Sequence, residues 1–141
     1  MLVRLLYASH VLDEKLCDTL QNIMQKSHAN NPHHGITGIL CHSDKVFMQV
    51  LEGGREAVNT LYGNILRDPR HSAVMLMLYE EIAERRYGCW TMGQANLSKL
   101  NPSVLLKYSA TPELNPHRMS GKMCLALIDE LMATAVVVGR A

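Results

Sequence analysis

Few side chains in this 141-residue sequence are placed to do chemistry. Tyr7, Asn30, Gln49 and the pair Trp90 with Met92 are polar or electron-rich groups at positions where the pattern predicts burial or a strand–helix junction. Gln49 is the sharpest case. From Val46 to Glu52 the side chains alternate, with Val46, Met48, Val50 and Glu52 on one face and Phe47, Gln49 and Leu51 on the other. Apart from Gln49 and the terminal Glu52 both faces are apolar, so the strand belongs inside a sheet covered on both sides, and Gln49 sits where water is scarce. A buried carboxamide has one acceptor and two donors to satisfy, at a cost of about 1–3 kcal/mol for each group left unpaired. Tyr7 brings a phenol with an ordinary pKa of about 10, which stays protonated at neutral pH and can exchange hydrogen bonds. Taken singly, each has a structural explanation: a core tyrosine with its hydroxyl at an edge, a helix C-terminal asparagine, a large core tryptophan.

Other chemistries have weaker support. Cys17, Cys41, Cys89 and Cys124 are scattered singly without a C-x-x-C pair, each in or beside an apolar segment, which reads as buried thiols in a reducing compartment. His33 and His34 near Cys41 and His42 do not have the spacing of a zinc site. A net charge of +1 with dispersed Lys and Arg offers no stripe for nucleic acid. The longest apolar runs are far below the roughly 18 residues that cross a membrane, and no targeting signal opens the chain, so the expected location is cytoplasmic. With 48% apolar and 19% charged residues the chain is expected to form one compact domain.

The elements that must hold these groups follow from periodicity. Leu2 to Ser9 is a strand whose Val3, Leu5, Tyr7 and Ser9 share a face, so Tyr7 points with core residues. Leu12, Leu16, Leu20, Ile23 and Met24 trace an amphipathic helix to Ser27, with Asp13 and Glu14 in the first turn where the dipole favours them. Asn30 to Gly35 reads as a loop around Pro32, and a hairpin follows, turning at Ser43-Asp44-Lys45. After Gly53-Gly54 a second helix presents Val58, Leu61, Tyr62, Ile65 and Leu66, closing near Pro69. Val74 to Tyr79, apolar throughout, reads as a strand covered on both sides, and Tyr87 to Met92 as a final strand on which Trp90 and Met92 share a face. Pro102 to Tyr108 suggests a short helix, and Asn115-Pro116 opens a longer one with Met119, Met123, Leu127 and Leu131 in its stripe. The fold class is α+β, a ferredoxin-like β-α-β-β-α-β-β layer with two helices on one face and the C-terminal helices on the other. That stripe and the Val136-Val137-Val138 run also suggest a homo-oligomer.

In combination these segments resemble the BLUF family of flavin-binding blue-light sensors over about residues 2–95. The resemblance is carried by Leu5-Leu6-Tyr7-Ala8-Ser9, Asn30-Asn31 ahead of Gly35-Ile36-Thr37-Gly38, Phe47-Met48-Gln49-Val50-Leu51-Glu52-Gly53, Asp68-Pro69-Arg70-His71 and Trp90-Thr91-Met92. Residues 96–141 are similar to the helical extension of the family's short members, which divides the chain into a flavin domain, 1–95, and an extension, 96–141. The resemblance implies an FAD, with FMN or riboflavin as alternatives, lying between the two helices and the sheet. Tyr7, Ile23, Asn30, Asn31, Ile36, Phe47 and Gln49 would surround the ring. Asp68, Arg70 and His71 would either touch the flavin side chain or form a structural turn. Asn64 stands where other members often have a basic residue, which leaves the grip on the phosphates open.

The implied mechanism is photochemical. An excited flavin is a strong oxidant, Tyr7 gives an electron and then its proton, and Gln49 relays the proton and returns reoriented or tautomerised. Trp90 and Met92, associated in the family with exchange of position near the glutamine, would carry the change onward to a signalling protein in trans. The expected protein is a sensor and not an enzyme; a flavin-dependent redox enzyme is the alternative, although no His/carboxylate pair for acid–base work is legible. A cofactor-free interaction domain is a third reading.

Overall fold

The computed structural model describes residues 1–11 and 16–134. In chain order it contains β1 (Leu2–Val11), α1 (Leu16–His34), β2 (Thr37–His42), β3 (Val46–Gly54), α2 (Arg55–Leu66), β4 (His71–Ile82), β5 (Gly93–Asn96), α3 (Pro102–Tyr108) and α4 (Gly121–Ala133). The expected helix start at Leu12 with Asp13 and Glu14, and the Val136-Val137-Val138 run, lie outside the described residues.

The five strands form one mixed sheet in the order β4-β1-β3-β2-β5, antiparallel except for the β2–β5 pair. β3 has a strand partner on each side and, as its two apolar faces require, is covered above and below. Its Phe47 and Leu51 pack with Val3, Leu5 and Tyr7 of β1 beneath Leu20 and Met24 of α1 and Val58 of α2. Its Met48 and Val50 face the opposite way, against Leu105 of α3 and Cys124, Leu127, Ile128 and Leu131 of α4. The ferredoxin-like α+β layer therefore has a helical layer on each face.

Several elements depart from the sequence reading. α1 runs on to His34 with Pro32 inside its last turn, because Gly35, at φ +66°, ends it in a left-handed cap: Ile36 N–H donates to Asn31 C=O at 3.0 Å and Gly35 N–H to Pro32 C=O at 3.4 Å. A proline there forfeits one helical hydrogen bond, and the cap secures the end.

The segment Tyr87 to Met92 is a turn, and the fifth strand starts at Gly93. The Arg86 and Tyr87 N–H groups donate to the Glu52 carboxylate and Trp90 N–H closes a turn onto Tyr87 C=O, so these N–H groups are committed away from any ladder, although Trp90 C=O accepts from Gly38 N–H of β2 at 3.0 Å.

β4, expected to be covered on both sides, is an edge strand with Met75, Leu76 and Tyr79 exposed. Asn115 precedes only a 3₁₀ turn; Ser120 is the cap that opens α4, accepting from Met123 N–H at 3.1 Å. Met123 is exposed, and Cys124 and Ile128 join Leu127 and Leu131 in the stripe, which this chain's own sheet covers. The stripe thus needs no second subunit. Gly121 allows the close approach of α4 to β4, since a Cβ there would stand 2.4 Å from Met77 C=O. Cys41 and Cys124 are buried, whereas Cys89 lies at the surface. Burial pushes the Cys41 thiol up to about 12 and Cys124 up to about 11.

Candidate functional site

Between α1, α2 and the sheet lies a cavity of about 740 Å³. Ile23, Ile36, Phe47, Leu61 and Ile65 give it apolar walls, Tyr7 and Gln49 reach it from the sheet, and Asn30, Asn31, Asp68, Arg70 and His71 bring polar groups to its borders. Every residue expected to surround a cofactor lines this one space. Antiparallel strands feed its floor: the β1–β3 register sets Tyr7 directly opposite Gln49.

The floor carries a short hydrogen-bond chain. Tyr7 Oη donates to Gln49 Oε1 at 2.5 Å, and Gln49 Nε2 donates to Met92 Sδ at 3.3 Å. A thioether can only accept, so the amide nitrogen must be the end facing Met92, which turns the oxygen toward the phenol. All three residues are buried, at 3%, 4% and 0% exposure respectively. Burial, reinforced by Tyr62 and Asp68, pushes the Tyr7 phenol well above its ordinary pKa, so Tyr7 holds its proton across the whole physiological range. The second N–H of Gln49 has no partner among the described residues, and Gln49 faces the cavity.

Trp90 and Met92 part company here. Met92 packs with Tyr7 and Phe47 on the cavity side, while Trp90 packs with the α3–α4 core on the opposite side of the sheet. The expectation that they share a face fails because they stand on a turn, where the period of two does not apply. Two residues of α1 hold this turn in place: His28 Nε2 lies 3.2 Å from Met92 C=O, and Asn31 Nδ2 donates to Thr91 C=O at 3.2 Å. Asn31, which lines the cavity beside Asn30, thus spends a donor on the backbone next to Met92.

At the far border, Arg70 clasps Asp68 with Nε at 3.0 Å from both carboxylate oxygens and Nη2 at 2.6 Å from Oδ2. Its Nη1 donates to Asn22 Oδ1 at 2.8 Å, tying the α2–β4 turn to α1. The Arg70 hydrogen bonds hold the Asp68 carboxyl below the usual range. His71 Nε2 lies 2.8 Å from Ile65 C=O and Nδ1 2.8 Å from Ser9 Oγ. A carbonyl only accepts, so Nε2 carries the hydrogen, and in the neutral ring Nδ1 accepts from Ser9. The His71 ring meets Tyr7 edge-on, with centroids 6.2 Å apart.

Residues 2–93 match the family described as sensors of blue-light using FAD. The chain belongs to the BLUF family. Among similar proteins, the blue light- and temperature-regulated antirepressor BluF of Escherichia coli K12 is 33% identical over 88 residues, 62% of this chain and 22% of that protein. The photoactivated adenylate cyclase subunit beta of Euglena gracilis is 39% identical over 77 residues, 54% of this chain and 9% of that protein. The chain thus spans less than a quarter of the length of these curated relatives. Two solved structures match over nearly their whole length. BlsA in its photo-activated state has a TM-score of 0.85 at 28% identity, covering 94% of this chain and 95% of that one. The dark-state BLUF protein BlrB has a TM-score of 0.74 at 32% identity, covering 95% and 96%.

BLUF domains are sensors that bind flavin, and the cavity fits such a group. Its apolar walls suit the faces of a flat aromatic ring, and the spare N–H of Gln49 with the Asn30 amide suits the ring's nitrogen and oxygen edge. Among the described residues no helix is long and apolar enough to cross a membrane, and no cluster of three or more His, Cys, Asp or Glu could hold a metal.

The sequence reading missed Glu52. Fully buried, it accepts from Arg4 Nε at 2.7 Å, Arg86 N–H at 3.0 Å and Tyr87 N–H at 2.6 Å. Arg4 also reaches Glu80 at 2.6 Å, and Tyr87 Oη donates to Asp129 Oδ1 on α4 at 2.9 Å. The signal was available: Arg4 and Glu52 both fall on strand faces otherwise filled by apolar residues, one of each sign.

Proposed function

We propose that this chain is a blue-light input module whose photochemistry runs on Tyr7 and Gln49, with FAD, or FMN or riboflavin in its place, seated in the α1–α2 cavity. The observation that carries this reading is the buried Tyr7–Gln49–Met92 chain on the cavity floor. When bound, the flavin supplies absorption of blue light and an excited state that is a strong oxidant. Tyr7, neutral and water-excluded, gives up one electron and its phenolic proton, and both return in the dark, so nothing is consumed. Gln49 receives the proton at Oε1 and can release one from Nε2 on its cavity side to the edge of a bound flavin, the destination of the electron as well, so Gln49 returns rotated or as the other tautomer. Either outcome changes what Nε2 offers to Met92 Sδ, and a network with two satisfied arrangements is bistable.

Met92 sits at the end of the turn whose other end, Arg86 and Tyr87, grips Asp129 on α4. Output is thereby assigned to residues 96–141, acting as an extension of the flavin domain 1–95 and signalling to a partner protein in trans. At the Asp68–His71 border the enzymatic alternative finds no spare base: both ring nitrogens of His71 are engaged and the Asp68 carboxylate is clasped by Arg70.

The test is an absorption spectrum of the flavin-loaded chain before and after blue light. A reversible red shift is expected, and an unshifted spectrum of intact holoprotein would reject the reading.

A further inference from the structure

Leu20, Met24, His28 and Asn31 fall on one side of α1, and that side changes character before the helix ends. Leu20 and Met24 belong to the cavity-side core together with Met92. The next two positions are polar, and what they meet is backbone. Trp90, Thr91 and Met92 present three consecutive C=O groups, which accept from Gly38 N–H of β2 at 3.0 Å, Asn31 Nδ2 at 3.2 Å and His28 Nε2 at 3.2 Å. A carbonyl only accepts, so His28 Nε2 carries the hydrogen. Met92 is therefore held twice, by its carbonyl from α1 and by its sulfur from Gln49 on the sheet. The sulfur is the weaker acceptor of the two. Asn31 also lines the cavity, whereas His28 stands outside it, at the surface of α1. His28 thus reaches the Tyr7–Gln49 pair through Met92.

We propose that His28 is a positioning residue of the photocycle, holding Met92 beside Gln49 from α1 and thereby setting how fast the arrangement formed in light returns to the dark one. This rests on the reading of Tyr7 and Gln49 as the photochemical pair. Once Gln49 has rotated or changed tautomer, Nε2 no longer offers Met92 Sδ what it did, and the hold on the backbone decides whether Met92 stays. Return needs the sulfur within reach of Nε2 again. The recovery rate therefore scales with the fraction of molecules in which Met92 is in place, as an apparent affinity scales with its binding-competent fraction. Water competes for an imidazole at the surface, so the hold is that of one ordinary hydrogen bond, and its loss changes the rate several-fold rather than by orders of magnitude.

The test follows the dark decay of the red-shifted flavin absorption in the full, flavin-loaded chain, and the NMR methyl resonance of Met92, assigned by its loss in Met92→Leu, in the flavin-free chain. His28→Ala should leave the size of the red shift native, slow its decay at least about twofold and move the Met92 resonance. His28→Gln, whose amide can donate to the same carbonyl, should bring both back toward the native values. His33→Ala, which removes a histidine from the last turn of the same helix, should change neither. Decay in His28→Ala as fast as in the native chain or faster, an unmoved Met92 resonance, or equal slowing in His28→Ala and His28→Gln would overturn the role of His28 while leaving the photochemical pair standing. A native chain that carries flavin and shows no red shift would overturn both.

Discussion

The two faces of the sheet treat buried polar groups in opposite ways, and β3 displays the contrast within four residues. On the α3–α4 face Glu52 is enclosed in a filled layer and meets Arg4 and two backbone N–H groups, so its carboxylate is fully engaged. On the α1–α2 face Gln49 borders a cavity of about 740 Å³ and, among the described residues, meets only the Tyr7 hydroxyl and a weak sulfur acceptor. A polar group with every partner in place holds a structure together. One with partners to spare, beside a hollow, is available to a ligand. The contrast separates architecture from chemistry on a single strand.

The largest effect should follow from breaking the filled face. Glu52→Ala strands the buried Arg4 guanidinium with only the half-exposed Glu80 and orphans two N–H groups. Removing one member of such a pair costs about 3–5 kcal/mol. Urea unfolding should report that loss, and a loss under about 1 kcal/mol would dissolve the distinction, since it would make Glu52 as dispensable as a surface charge.

The hollow face should respond the other way, giving up function before stability. Gln49→Leu keeps the volume and leaves the Tyr7 hydroxyl without its acceptor, a cost of about 1–3 kcal/mol. Tyr7→Phe should cost about the same. Both should retain flavin colour and lose the light-induced red shift. A normal photocycle in Tyr7→Phe would remove the phenol from its assigned role.

Which parts of this were legible in the sequence follows from the reach of each signal. Alternation within a strand is local, so Tyr7 and Gln49 could be assigned to core-facing sides from Val3-Leu5-Tyr7 and Phe47-Gln49-Leu51 alone. That the two stand directly opposite each other is a matter of β1–β3 register, set by residues more than forty positions apart and by nothing local. Polarity also reports how a side chain is dressed, not how many strand neighbours it has. The apolar run of β4 therefore looked central although it lies at the sheet edge. Tyr87 to Met92 reads as a strand from the spacing of Trp90 and Met92, yet its Tyr87 N–H is drawn off, with that of Arg86, by Glu52, a carboxylate distant in sequence, and its Trp90 N–H by Tyr87 C=O. With that strand went the inference that Trp90 and Met92 share a face. At α1, Pro32 was weighed as a stop, but Gly35 was the true one.

The link between the two faces is the turn from Arg86 to Met92, and Tyr87→Phe tests it. The hydroxyl's bond to Asp129 is partly exposed and accepted by a charged group, so its loss should cost about 1–2 kcal/mol. The photocycle at Gln49 should persist in this variant. Any light-dependent change in amide exchange along α4 should shrink, and an undiminished change would mean that output leaves by another route.

The smallest effect belongs to the rim, where neither description applies fully. Asp68 and Arg70 are partly exposed, at 23% and 33%, so their pair contributes a fraction of a kcal/mol, roughly the range of surface ion pairs. Its pH dependence has a definite sign. The Arg70 hydrogen bonds lower the Asp68 pKa in the folded chain. The folded state therefore releases that proton more readily than the unfolded state, whose carboxyl titrates near about 3.9. The stabilisation is complete above that value and disappears as pH falls through the lower folded value. Asp68→Asn should flatten the acid limb of the stability curve and leave the curve near neutrality almost unmoved. A large loss at pH 7 would instead place the rim with the filled face, as architecture.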